Sequence, residues 1–332
     1  MPKNRIAWID TARGLCIFLV VLGHTILPYS WLVFIFSFHM PFFFFLSGYL
    51  YNPEKYQSWW LFLKKKAATL LWPYLVFFLI NFIYWIFYFN SKQYFEPIWQ
   101  MLYSAKLSAP FIPLWFLTCL FMLEIYFHIL QKYLKKFWLF LAVLASLFLG
   151  IYLERRGLRL FWNLDIALFA IIYYYLGFMV KSYKDDFKMV SKTWIAPIGL
   201  ALILIDFFLA RWQGLQISMY YRIYGVEWIF ILTGICGTLG FLVLARILKQ
   251  TIFTKTNLWE FLGQNSLIIL CLHTVFYYYV SDFFHYVLNI FPKISLLFAF
   301  VETIITLIIL VPIIYLINNY LPILVGKFKK ET

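Results

Sequence analysis

The chain has 332 residues, of which 64% are hydrophobic, 23% are aromatic and only 13% are charged. About a quarter of the residues of an ordinary globular protein are charged, so this composition excludes a soluble fold, which could not bury so much apolar surface. The formal net charge of +14 is attributed to membrane topology and anionic lipid, and no nucleic-acid partner is predicted.

Apolar runs recur along the chain at about 17–25 residues, the length that a helix needs to cross about 30 Å of hydrocarbon. Strands are not predicted, because the alternating polar residues of a membrane barrel are absent. We predict an all-α integral membrane protein with about ten transmembrane helices, at residues 6–27, 31–50, 67–89, 113–130, 137–153, 161–180, 194–210, 226–248, 262–280 and 294–320. The connections are short, so residues 1–332 are expected to form a single membrane domain.

Lysine and arginine residues are concentrated in every second connection between spans, and this distribution predicts how the chain is oriented in the membrane. With the N-terminus inside, 19 of the 28 basic residues lie on the cytoplasmic side and eight lie on the other, while Arg13 lies at the start of the first span. This bias predicts that both termini are cytoplasmic. Three consecutive lysines, Lys64, Lys65 and Lys66, lie in one cytoplasmic connection and are candidates for contact with an anionic ligand.

The cysteines and histidines do not predict a metal site. All four cysteines lie inside apolar spans without a Cys-x-x-Cys spacing, and the five histidines lack a paired ligand pattern. We therefore predict buried thiols and no metal.

The first span carries three ionisable residues, Asp10, Arg13 and His24. At about 100° per residue, Arg13 and His24 differ by about 20° around the helix, and Asp10 and His24 differ by about 40°. The three side chains therefore form one polar stripe that must face protein or water, which makes it a candidate functional site. Two other interpretations stay open, because Asp10 and Arg13 can anchor the helix at the interface and His24 can bond a neighbouring helix.

The same residues carry a resemblance to a known family. Asp10-x-x-Arg13-Gly, with ten residues between Arg13 and His24, resembles the Arg-x(10)-His signature of the membrane acyltransferase-3 family. The second span, with Phe38-His39-Met40-Pro41-Phe42 and Ser47-Gly48, is similar to another segment of that family. Further similar segments are Pro113-Leu-Trp115-Phe-Leu117, Asp165 with Gly177, and Leu262-Gly263-x-x-Ser266 followed by His273.

The resemblance implies transfer of an acyl group, usually acetyl, from cytoplasmic acyl-coenzyme A to a hydroxyl of an envelope carbohydrate. Acetyl-CoA is then the expected donor, and the bacterial cytoplasmic membrane is the expected location. The chain looks like the short form of the family, without an extracellular hydrolase-like domain, and is most similar to enzymes that acylate capsular or exopolysaccharide. The oligomeric state is not predicted.

Within that expectation, the stripe has an assigned chemistry. A neutral imidazole suits removal of a proton from a sugar hydroxyl, so His24 is the expected general base. Arg13 offers a planar fork for a coenzyme A phosphate or for negative charge on the thioester oxygen, and Asp10 is expected to pair with Arg13. Lys64, Lys65 and Lys66 are expected to guide the donor.

Three further polar residues inside spans, His39, Glu124 and His273, are candidates for substrate binding, although each can instead pair across helices. A second class of function, a polysaccharide or glycolipid transporter without acyl-transfer chemistry, would also need many helices and a few buried charges. The paired, interrupted helices that mark the two halves of many transporters are not visible in the sequence.

Overall fold

The computed structural model describes residues 6–89, 95–104, 106–182, 195–251, 257–289 and 294–328. These residues are mainly helical, and the described ranges contain no strand longer than an isolated bridge between Ser218 and Ile223. The α-helices are α1 Ala7–Gly23, α2 Tyr29–Leu50, α3 Trp59–Lys66, α4 Trp72–Phe89, α5 Phe95–Tyr103, α6 Trp115–Tyr133, α7 Lys136–Arg155, α8 Leu164–Ser182, α9 Ala196–Gln213, α10 Glu227–Thr251, α11 Leu258–Gln264, α12 Ser266–Asp282 and α13 Leu296–Tyr320.

Nine helical segments within the described ranges are long and apolar enough to cross a membrane. They correspond to the second through the tenth predicted spans. The first predicted span corresponds to α1, which is helical over 17 residues. The protein is therefore an all-helical, multi-pass membrane protein, as its composition predicts.

The helices differ from the predicted spans in several places. The third span begins earlier, at Trp59, because the Ser58 hydroxyl accepts a hydrogen bond from the Leu61 amide and caps α3. The ninth span is interrupted at Asn265, whose side-chain amide donates to the Phe261 carbonyl at 2.7 Å, a local bond that competes with helix continuation. Helix α5 lies in a connection for which no helix was predicted.

Contacts divide the chain into two compact units. The first unit comprises Met1–Leu50, Tyr173–Leu270 and Val280–Thr306. The second unit comprises Tyr51–Ile172, Cys271–Tyr279 and Leu307–Thr332.

Within the first unit, α1 and α11 touch through their main chains. A β carbon on Gly14 would overlap the carbonyl oxygen of Trp259, and a β carbon on Gly263 would overlap the carbonyl oxygen of Asp10. Small residues permit this kind of close approach between membrane helices. The two glycines therefore fix the position of α1 against α11.

Helices α2 and α8 make a similar contact within the first unit. A β carbon on Gly48 would overlap the Tyr174 carbonyl oxygen, and one on Gly177 would overlap the Phe45 carbonyl oxygen. Gly48 of the Ser47-Gly48 segment thus lies at a close helix contact, and the Ser47 hydroxyl donates to the Phe43 carbonyl of its own helix at 2.9 Å.

The second unit contains a buried polar junction at the start of α8. The Asn163 amide donates to the Ser104 carbonyl at 2.9 Å and to the Thr118 hydroxyl at 3.2 Å, and all three side chains are buried. Asn163 has φ 58°, in the left-handed region that asparagine adopts more readily than most residues. The junction ties the connection before α8 to α6.

We expect Gly263→Ala to destabilise the protein, because the added carbon meets a main-chain oxygen that cannot move without shifting α1. Overpacking of this kind typically costs about 1–3 kcal/mol, which thermal unfolding of the purified protein in detergent would detect. The control is Gly23→Ala, whose added carbon has as its nearest contacts the side chains of Phe36 at 3.0 Å and Ile35 at 3.3 Å, which can move more easily than a main-chain atom. Equal unfolding midpoints for the two variants would contradict the packing argument.

Candidate active site

His24 lies at the end of α1, not inside it. The helix ends at Gly23, and His24 is the residue that caps it, with φ −96° and ψ −2°. The predicted first span, which continued to residue 27, is therefore too long for the helix itself. Pro28 supplies the physical reason, because it has no amide hydrogen to bond the carbonyl four residues earlier and disfavours helical geometry in the residue before it.

The hydrogen bond of the His24 ring determines its tautomer. Nδ1 lies 2.8 Å from the Val20 carbonyl oxygen. A carbonyl only accepts, so Nδ1 donates the proton, and in the neutral ring the lone pair is on Nε2. Nε2 is therefore the nitrogen at which the neutral ring can accept a proton. The His24 side chain is partly exposed.

His39 has the same arrangement on α2. Its Nδ1 lies 2.7 Å from the Ile35 carbonyl oxygen, and the side chain is buried. The two imidazoles also share a neighbour, since the Phe36 ring centroid lies 6.2 Å from that of His24 and 4.8 Å from that of His39. The structure thus brings together two sequence-predicted candidates around one aromatic ring.

Asp10 and Arg13 lie toward the other end of α1. Asp10 is buried, and one of its carboxylate oxygens accepts from the Gln264 amide at 3.4 Å. The Arg13 side chain is partly exposed. Gln264 was not predicted as a partner, although it directly follows Gly263, and the pairing of Asp10 with Arg13 stays a prediction.

Glu124 lies in the second unit and forms an ion pair with Lys66. Lys66 Nζ and Glu124 Oε1 are 2.8 Å apart, and the Glu124 side chain is buried. Its other oxygen, Oε2, is buried without a hydrogen-bond partner among the described residues. Glu124 of α6, predicted as a substrate-binding candidate, is therefore paired with a lysine of α3. Lys66 is partly buried in this pair, whereas Lys64 and Lys65 are exposed.

A hydrogen-bonded Tyr51–His128 pair lies near this ion pair. The phenol oxygen and Nδ1 are 2.6 Å apart, and the imidazole stacks on the Phe62 ring with centroids 4.0 Å apart. Burial, with smaller contributions from Glu124 and Tyr56, raises the pKa of Tyr51 above its ordinary value. Sequence reasoning missed His128, although it lies four residues after Glu124 and so shares a face of α6.

Lys64 and Lys65 are exposed. Lys65 Nζ lies 5.5 Å from the centroid of the Tyr56 ring. Of the three predicted donor-binding lysines, these two hold their charges at the surface of the second unit, where an anion can reach them.

His273 is buried in the second unit on α12. Two residues before it, the Cys271 carbonyl accepts a hydrogen bond of 3.1 Å from the Asn81 amide of α4. One residue after it, the Thr274 hydroxyl donates to the Pro110 carbonyl at 3.1 Å. The part of α12 that carries His273 is therefore fixed by side-chain to main-chain bonds.

A family model described as an acyltransferase domain, acyltransferase-3, matches residues 6–318. The chain belongs to this family. No curated protein and no solved structure matches it. The matched range includes every site residue named above. Together with its apolar helices, this membership shows that the protein is a membrane acyltransferase. A transporter without transfer chemistry is not favoured.

We expect Lys66→Met to destabilise the protein by about 3–5 kcal/mol, since it leaves the Glu124 carboxylate buried and unpaired. The double variant Lys66→Met/Glu124→Leu should recover most of that loss, because both charges are removed. Thermal unfolding in detergent measures both effects, and Lys65→Met, at an exposed position, is the control. Additive losses in the double variant would contradict the ion pair.

Proposed function

We propose that this acyltransferase moves an acetyl group, or another short acyl group, from cytoplasmic acyl-CoA to a hydroxyl of a cell-envelope polysaccharide or its lipid-linked precursor. The observation that carries the proposal is the His24 ring, whose proton is held on Nδ1 by the Val20 carbonyl. This arrangement prepares Nε2 to accept the proton of an attacking hydroxyl. Membership of the acyltransferase-3 family supports acyl transfer.

The reaction balances without a further reagent. Nε2 of His24 takes the hydroxyl proton as the sugar oxygen attacks the thioester carbonyl carbon. The new C–O bond forms, the C–S bond breaks, and the proton passes from the imidazolium to the departing coenzyme A thiolate. Direct transfer is the simpler of two routes, the other being an acyl group carried briefly on the histidine.

The topology that goes with this proposal has ten membrane spans and both termini in the cytoplasm, in the bacterial cytoplasmic membrane. The distribution of basic residues, 19 against eight, supports the orientation. In this orientation α1 begins at the cytoplasmic side, and His24 lies toward the external side. An acceptor of the capsular or exopolysaccharide class would then approach His24 from outside the cell.

Arg13 and Asp10 are proposed to act on the donor side of α1. The Arg13 guanidinium is suited to a coenzyme A phosphate or to negative charge that develops on the thioester oxygen. The partly exposed Arg13 side chain supports this role. Asp10, which bonds Gln264, would orient the start of the helix.

The second unit is proposed to contribute to binding of the substrates. Lys64 and Lys65 are exposed and can attract donor phosphates, whereas Lys66 is paired with Glu124.

His39, in the first unit, is proposed to bind the acceptor hydroxyl, and it has the same Nδ1–H tautomer as His24. Glu124 and His273 are the other two residues proposed for substrate binding.

We expect His24→Asn to reduce acyl transfer by about 100-fold or more, the range typical for loss of a general base. The asparagine amide can still donate to the Val20 carbonyl, so the fold should survive while the base is removed. The assay is transfer of labelled acetyl from acetyl-CoA to polysaccharide by purified protein. His285→Asn, a histidine in contact with Tyr286 and far along the chain, is the control. Retained transfer in His24→Asn would overturn the proposal.

We expect Lys64→Gln/Lys65→Gln to raise the KM for acetyl-CoA several-fold with little change in kcat, because the two charges attract the donor and do not act on the reacting atoms. The effect should shrink at high salt. The matched control is Lys135→Gln/Lys136→Gln, which removes two exposed lysines of another predicted cytoplasmic connection. The same rise in KM in both double variants would indicate a general effect of charge and contradict a donor site at Lys64 and Lys65.

A further inference from the structure

Four tyrosines from two helices of the second unit form one cluster, which we call the tyrosine cluster: Tyr84 and Tyr88 of α4, and Tyr278 and Tyr279 of α12. Tyr84 and Tyr88 stack with centroids 4.9 Å apart, and Tyr84 meets Tyr279 edge to face at 5.2 Å. Tyr88 lies 6.0 Å from Tyr278 and 5.8 Å from Tyr279. The four rings therefore form a continuous aromatic surface across α4 and α12.

A buried amide lies on the same face of α4 as the cluster. Asn81, Tyr84 and Tyr88 follow the three- and four-residue spacing that places side chains in one row along a helix. Asn81 Nδ2 donates to the Cys271 carbonyl on α12. The row thus faces α12 along about 10 Å of helix.

Exposure falls along this row from the surface inward, since Tyr88 is half-buried, Tyr84 is 8% exposed and Asn81 is fully buried. Tyr279, on α12, is 51% exposed. Asn81 Oδ1 is a buried acceptor without a hydrogen-bond partner among the described residues. A buried acceptor without a hydrogen-bond partner lowers the stability of the fold by about 1–3 kcal/mol. The site is therefore suited to a ligand whose hydroxyl can donate a hydrogen bond to Asn81 Oδ1.

A membrane-interface belt of tyrosines is the alternative explanation. Tyrosines of such a belt place their rings at the level of the lipid headgroups, as fits Tyr286, which is 75% exposed. The tyrosines of the cluster instead contact one another, and Tyr84 is buried against its neighbours. A shared aromatic surface that leads to a buried amide is a feature of ligand sites, which combine apolar walls with a few placed polar groups.

The chemistry of the cluster fits a saccharide. One face of a pyranose ring presents C–H groups that can pack on an aromatic ring, and its hydroxyls can donate to an amide oxygen or bond a phenol. The four tyrosines and Asn81 include no lysine, arginine or carboxylate, so a neutral sugar fits better than an anionic headgroup.

We infer that Asn81 and the tyrosine cluster form a saccharide-binding subsite for the carbohydrate acceptor. This inference rests on the proposed function and on the proposed orientation, which places the C-terminal ends of α4 and α12 on the external side. A polymeric acceptor extends beyond the sugar that reacts, so a subsite can hold neighbouring sugars of the same chain. The five residues would then determine affinity for the acceptor without touching the thioester.

The test uses purified protein in detergent and, as probe, oligosaccharide fragments of the parent strain's envelope polysaccharide from which alkali-labile acyl groups have been removed. Tyr88→Ala and Tyr279→Ala should each raise the KM for the oligosaccharide about tenfold and leave the KM for acetyl-CoA unchanged. Tyr279→Trp, which keeps an aromatic face, should remain near the wild-type value. Tyr286→Ala, at an exposed tyrosine outside the cluster, is the matched control and should have no effect.

Direct binding of the oligosaccharide separates this inference from the proposed function. His24→Asn should still bind the fragments, while Tyr88→Ala and Tyr279→Ala should lose binding, as followed by isothermal titration calorimetry. If wild-type protein binds the fragments but transfers no acetyl group, the proposed function fails and the subsite stands. If Tyr88→Ala and Tyr279→Ala bind as tightly as the wild type, or if the wild type binds no fragment, the subsite is overturned. Unchanged thermal unfolding of Tyr279→Ala, at a half-exposed position, excludes loss of fold as the cause.

Discussion

Main-chain contact between α1 and α11 determines where the polar residues of the first unit lie. Gly14 and Gly263 each meet a carbonyl oxygen of the other helix, at a separation that leaves no room for a side chain. Lipid tails give no hydrophobic drive for helices to associate, so close packing of this kind supplies much of the attraction. Because Asp10 and Arg13 lie on α1 and His24 caps its end, the placement of this one helix sets the position of all three residues.

Several polar side chains of the membrane-spanning region are held by partners within the protein, because hydrocarbon offers no hydrogen-bond partner. His24 and His39 each bond the carbonyl four residues earlier in their own helices, and Lys66 bonds Glu124 across two helices. For the two histidines, the bond determines the tautomer, because Nδ1 must carry the proton that it donates to the carbonyl. Nε2 is therefore the nitrogen with the lone pair in both neutral rings.

The sequence was sufficient for features that depend on local composition. Apolar length predicted nine spans that the structure contains as helices long enough to cross a membrane, whereas the shared stripe of Asp10, Arg13 and His24 stays a prediction from helical spacing. Features that depend on one side chain's bond or on contact between distant segments were not predictable in this way. The break at Asn265 depends on a single side-chain bond. The tyrosine cluster requires that α4 and α12 pack against each other, and no local sequence pattern predicts which helices are neighbours.

The position of His24 as the cap of α1 has an electrostatic consequence. Peptide dipoles in a helix align, and the last carbonyl groups together carry partial negative charge. A positive side chain at a helix C-terminus is stabilised by about 0.3–1 kcal/mol, and by up to about 2 kcal/mol where it is partly buried. In the proposed reaction, the imidazolium exists only between uptake of the hydroxyl proton and its release to sulfur. The helix end would therefore favour the ring most strongly at the stage when it carries its charge.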